Sequence, residues 1–258
     1  MVSTRKIAAG LMLMVFALVS AIDCSAQADT TSADDARARK IVEEADAIRF
    51  PREGFQVDVT INTSTDDSAA EERKYRVLSK GNENTVVMIT EPASERGQIM
   101  LMKGRDLWVF LPNVSQPVRL SLSQRLTGQV ANGDLARANF AGDYVPRILR
   151  TETIEGEAYY VLELNAIDRG VTYQRVVYWV RKSNFWPHRA EFYSASDRLL
   201  KTCTYQDFQK MAGHVRPTRV VMEDALRKSE RSTLEYSGMK MRELPDKIFT
   251  KDYLKRLE

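Results

Sequence analysis

The sequence predicts a mainly β protein: one large, strongly curled antiparallel sheet, with helices at one end and in one long insertion. Two observations lead there. From Phe55 onward, apolar residues recur at every second position in run after run, the period of a half-buried strand. Short turn signals separate the runs: Gly104, Glu155-Gly156, Asp168-Arg169-Gly170, Ser183-Asn184, Ser196-Asp197 and Gly213.

The chain has 258 residues. Arg5 and Lys6 precede an apolar run, Ile7 to Ile22, that is shorter than the roughly 20 residues a spanning helix needs. Ala26-Gln27-Ala28 follows with small-x-small spacing. Charged start, apolar middle and small-residue exit together predict a signal peptide over residues 1–28. Residues 29–258 then form a single domain. Cys24 is a weaker candidate for lipidation, because Asp23 places a charge where a lipoprotein box carries a small residue. Removing Arg5, Lys6 and Asp23 from 38 basic and 35 acidic residues leaves a net charge of +2. That near-neutral balance argues for neither nucleic acid nor an anionic membrane as partner. Cys203 is then the lone cysteine, so a disulfide framework is excluded.

The elements follow in order. Ala38, Ile41, Val42, Ala45 and Ile48 share one face at helical spacing, Ser32 and Asp35 form a capping-box-like start, and Pro51 ends the run. "GFQVDVTINT", "ERKYRVLSKG", "TVVMITEP", "QIMLMKG", "DLWVFLP" and "PVRLS" read as strands. Residues 121–143 lack alternation and suit one or two short helices. Seven more strand-like runs lie between Tyr144 and Met239, giving on the order of a dozen strands. "TKDYLKRLE" reads as a last helical piece.

"DLWVFLP" is unusual because both of its faces are apolar. Leu107, Val109 and Leu111 point one way, Trp108 and Phe110 the other. Antiparallel strands commonly bury one face and wet the other, so something must cover the second. Met100 with Met102, Tyr160 with Leu162 and Leu164, and Val176 with Tyr178 form further apolar rows. Such rows either line a wide apolar cavity or pack as an ordinary barrel core.

Catalytic patterns are sparse. His188 and His214 stand on separate segments, and the acidic pairs are sequence neighbours, which point in different directions. No G-x-S-x-G elbow or phosphate-cradling Gly-rich loop occurs. Cys203 alternates within a strand, as a buried inert thiol does. The chain is expected to be no enzyme and to need neither cofactor nor metal.

"GRDLWVFLPNVSQPVRLS" resembles a strand pair of the bacterial LolA-type carriers. With "RLTGQVANGDLARANFAGDY", "GEAYYVLELNA", "YQRVVYWV" and "LLKTCTYQDF" it is similar to the outer-membrane lipoprotein-sorting-like proteins, from about Ala38 to the C terminus. The resemblance implies an incomplete, half-open antiparallel β-barrel of about eleven strands with a helical lid, LolA/LolB-like. It also implies a periplasmic carrier that holds the acyl chains of lipoproteins or lipids and delivers them toward the outer membrane. Its partners would be that cargo, an inner-membrane transporter of ABC or RND type, and an outer-membrane acceptor. The alternative is a non-carrier adaptor or sensor working with an RND-type exporter or an envelope-stress regulator. On this reading Met100, Met102, Trp108 and Phe110 face the cavity, with Tyr160, Leu162 and Tyr178 opposite. Ile41, Ala45 and Ile48 belong to the lid, together with the 121–143 insertion. Relative to the classical carrier, the region from Leu122 to Tyr144 is longer and carries "NGDLARANF".

Overall fold

The structure is a computed structural model that describes residues 22–254 apart from 66–67, 113, 138 and 228. Most of the expected signal segment lies outside the described residues. Helix α1 (Ile22–Arg49) begins ten residues before the expected start. Ser32 is therefore interior to a helix and not its cap. Neither Gly nor Pro occurs between Ile22 and Arg49, so nothing interrupts the backbone hydrogen bonding earlier.

Strands β1 (Phe55–Thr65), β2 (Ser68–Lys80), β3 (Asn84–Glu91), β4 (Ile99–Lys103), β5 (Asp106–Phe110) and β6 (Val118–Leu120) make one antiparallel meander. The insertion follows. It holds a two-stranded ribbon, β7 (Arg125–Thr127) with β8 (Val130–Ala131), and two short helices, α2 (Asn132–Ala136) and α3 (Phe140–Asp143). The ribbon has no apolar alternation and left no signal in the sequence. A second meander then runs through β9 (Tyr144–Ile154), β10 (Glu157–Ala166), β11 (Arg175–Arg181), β12 (Pro187–Tyr193), β13 (Leu199–Met211), β14 (His214–Asp224) and β15 (Arg231–Met241). The two meanders join where β1 pairs with β15, giving a thirteen-stranded sheet with β6 and β9 at its edges. The sheet is large and open and forms no closed barrel among the described residues.

The inner face carries the main core. β1 shows why: Phe55, Val57, Val59 and Ile61 are buried while their neighbours are half-exposed. Ala38, Ile41, Val42 and Ala45 of α1 pack into the same cluster, as do Leu135 and Phe140 of the insertion. Helix α1 lies against β9, β12 and β14 and touches α3.

The outer face of β3 to β5 is covered by the chain itself. Leu244, a 3-10 turn at Asp246–Phe249 and α4 (Lys251–Leu254) form a strap over Val86, Ile99, Leu101 and Phe110. The Lys251 ammonium sits 3.9 Å from the centre of the Trp108 ring. This strap is what covers the second apolar face of β5.

Candidate functional site

The β4–β5 hairpin turns at Gly104-Arg105, and its register pairs Met102 with Leu107, Met100 with Val109, Leu101 with Trp108 and Ile99 with Phe110. Residues directly opposite on antiparallel strands share a face. Met100 and Met102 therefore go inward with Val109 and Leu107. Trp108 and Phe110 go outward, onto the strap. This corrects the expectation that these four residues face one cavity: the hairpin register forbids it.

The remaining candidates divide further. Leu162 and Tyr178 are fully buried on the inner face, with Tyr160 packed beside them. They lie in the half of the sheet that α1 and α3 cover. The Phe140 ring meets Tyr178 edge-on at 5.4 Å, and the Arg37 guanidinium donates to the Tyr160 hydroxyl at 3.1 Å. Ile41 and Ala45 belong to the buried face of α1, whereas Ile48 is half-buried and outside that cluster.

Two of the spaces on the inner face differ in kind. Beneath α1, the cavity walled by Arg49, Phe140, Tyr144, Tyr173 and Phe192 leaves about 40 Å³ for water centres. By that measure it holds about three waters, not a hydrocarbon chain. Between β2–β6 and the insertion lies an open groove with about 210 Å³ of such room. Tyr75, Ile89, Met100, Val109, Leu111 and Leu120 supply its apolar wall; Arg73, Glu95 and Arg125 are among its polar residues.

The cover over this face is fixed by polar anchors. Gly128 turns with φ +48°, and a Cβ there would lie 2.3 Å from the Ser232 hydroxyl, so only glycine fits that approach. Asp134 pairs with the Lys201 ammonium at 2.6 Å and accepts the Tyr173 hydroxyl at 2.7 Å. Arg137 grips Asp143 with two bonds, 2.5 and 2.7 Å, and donates to the Gly104 carbonyl at 2.7 Å. Arg105 reaches Asp143 at 3.0 Å and also pairs with Asp168. Asp46 on α1 accepts the Ala141 amide at 2.8 Å and pairs with Arg49 at 3.1 Å. Burial nonetheless pushes the Asp46 carboxyl up to about 6, outweighing the downward pull of Arg49 and the Ala141 amide. None of these anchors carried a periodic signal, because each depends on partners distant in sequence.

Cys203 is buried, and burial pushes its thiol up to about 12, so it carries little thiolate. His188 lies against the Tyr159 ring, and burial followed by Arg181 and Arg189 lowers its pKa. Among the described residues no group of His, Cys, Asp and Glu is placed to hold a metal ion, and no helix is long and apolar enough to cross a membrane.

A family model described as an uncharacterized protein matches residues 81–256. No curated protein matches the chain. The chain is similar to a LolA superfamily protein from Nitrosomonas europaea, with 67% identity over 84% of this chain and 98% of that one, at a TM-score of 0.81. A DUF1329 family protein from Desulfovibrio piger shares the fold at 21% identity and TM-score 0.74, over 86% and 99% of the two chains. So does a putative outer membrane lipoprotein-sorting protein domain from Vibrio parahaemolyticus, at 21% identity and TM-score 0.74, over 86% and 100%.

Proposed function

The chain belongs to the LolA superfamily, and from this premise we propose that it is a periplasmic carrier for the acyl chains of lipoproteins or lipids. The observation that carries this reading is the groove between β2–β6 and the insertion. One of its walls is apolar, and it is open and continuous with a core that a helix and an insertion cover. Cargo would lie on Met100, Val109, Leu111 and Leu120, with Met102 behind them. Tyr160, Leu162 and Tyr178 would be reached only after α1 and α3 move. Residues 29–258 would be the exported domain, handing cargo from an inner-membrane transporter to an outer-membrane acceptor.

Energetics favour a displaceable cover. A buried methylene contributes about 0.8 kcal/mol, so a chain of about 16 carbons offers roughly 12 kcal/mol gross. A carrier that kept all of it would not release its load. Lifting α1 offsets part of this gain, because its own apolar face must be exposed. The cover is also imperfect. Tyr178 Oη and Arg216 Nε are buried with no hydrogen-bond partner among the described residues. Arg216 meanwhile donates to the Ala47 and Ile48 carbonyls at the end of α1. Each unsatisfied group costs about 1–3 kcal/mol and recovers that in water.

Native mass spectrometry of the freshly purified protein tests the carrier reading. Co-purifying lipid or acylated protein is the expected result. A protein that carries nothing and binds no acyl probe overturns it in favour of an adaptor.

A further inference from the structure

Arg125 borders two spaces. One is the apolar groove; the other is a pocket on the opposite side of the insertion ribbon with about 280 Å³ of room for water centres. Arg125, Arg198, Lys201, Gln129, Leu199 and Leu226 are among the residues lining this second pocket.

Its charge is unbalanced. Exposed arginines of the large sheet find partners, as Arg119 does in Asp106, Arg175 in Asp197 and Arg231 in Glu223; Arg125 lies on the ribbon and Arg198 between β12 and β13. Among the described residues, the side chains of Arg125 and Arg198 make no ion pair or hydrogen bond. Asp224, the carboxylate in the wall, accepts the Leu226 and Arg227 amides at 2.8 and 2.9 Å. Lys201 is held by Asp134 and the Gln129 carbonyl. Two guanidinium groups, each able to bind a planar or tetrahedral oxyanion through two N–H donors, are thus left for a ligand. Beside them Leu226 is 81% exposed. Cationic and apolar surface in one pocket suits an amphiphile better than a free ion.

We propose that this pocket seats the anionic head, a phosphate or carboxylate, of an amphiphile whose hydrocarbon passes Arg125 into the apolar groove. The proposal rests on the carrier reading and narrows its cargo to acidic lipid. The head site and the groove are both open as they stand, so head and chain dock before any movement of α1.

The test is titration calorimetry of the full chain with dodecyl phosphate, dodecan-1-ol and inorganic phosphate, in wild type, R198Q and R125Q. Charge-assisted contacts to an oxyanion predict that wild type prefers dodecyl phosphate over the alcohol by about tenfold. R198Q and R125Q should each shrink that ratio, with circular dichroism confirming that they fold. Equal affinity for phosphate and alcohol overturns the head site while leaving the carrier reading intact. A preference that both variants retain overturns the assignment to these arginines. Tight binding of inorganic phosphate, lost in both variants and not improved by the chain, replaces the amphiphile with a free anion. Binding of none of the three probes overturns the head site and the carrier reading together.

Discussion

Arg105 and Asp168 are ion-paired across the mouth of the sheet. Arg105 lies in the turn between β4 and β5, near one edge; Asp168 lies between β10 and β11, near the other. Strands that far apart in a flat sheet never meet, so this contact measures how far the sheet curls. Both side chains are partly exposed, and an exposed pair contributes about 0.2–1 kcal/mol. D168N should therefore leave thermal stability nearly unchanged. It should speed release of a bound fluorescent acyl probe about two- to fivefold, read by stopped flow. Unaltered release would show that the pair does not guard the mouth.

Arg137 and Asp143 predict the opposite balance. Both are buried, and their two bonds tie α3 to the residue that follows α2. Removing one partner of a buried pair leaves an uncompensated charge and costs about 3–5 kcal/mol. Asp143 would keep Arg105 at 3.0 Å, so R137A should lose an amount at the lower end of that range, about 3 kcal/mol, in urea unfolding. Replacing both residues by apolar ones should recover most of it.

Asp46 makes stability depend on pH in an unusual direction. Its carboxyl titrates at about 6 when folded and about 3.9 when unfolded. Between those values the folded chain binds the extra proton, so this residue's contribution is fully present below about 3.9 and is lost as pH rises through 6. Two pH units correspond to at most about 3 kcal/mol. Relative to D46N, wild type should lose up to that amount between about pH 4 and pH 7. A constant difference between the two proteins would refute the shift.

The β4–β5 hairpin separates groove from strap. M100E places a charge in the groove and should abolish acyl-probe binding. W108E faces the strap and Lys251; it should lower stability yet spare binding in the folded fraction. Loss of binding in W108E alone would reverse the assignment of the two faces.

Much of the architecture was readable from period and punctuation. β9, "YVPRILRTETI", spans the residues its alternation marks, and the turns at Glu155-Gly156 and Gly213 fall where φ is positive. The apolar surplus of "DLWVFLP" also had the right meaning, a strand covered on both sides. The error lay in the cover. A two-residue turn at Gly104-Arg105 makes Met100 oppose Val109, so the facing of Trp108 could have been counted from the turn. The C-terminal strap was legible as a helical piece but not as the partner of Trp108, since nothing local says where a terminal segment docks. Asp46, Arg137 and Lys201 were invisible for the same reason: an ionic anchor is a relation between distant residues.

The seam between β1 and β15 has a consequence for assembly. Ile61 lies opposite Leu234, so the centre of the sheet is closed by segments from nearly opposite ends of the chain. Each meander can form from local hairpins, yet neither can share the common core until the last strand arrives. Closing so long a loop before its contacts repay the entropy slows folding, to the millisecond-to-second range typical of non-local β proteins. A chain lacking β15 would hold two unjoined half-sheets with exposed apolar faces.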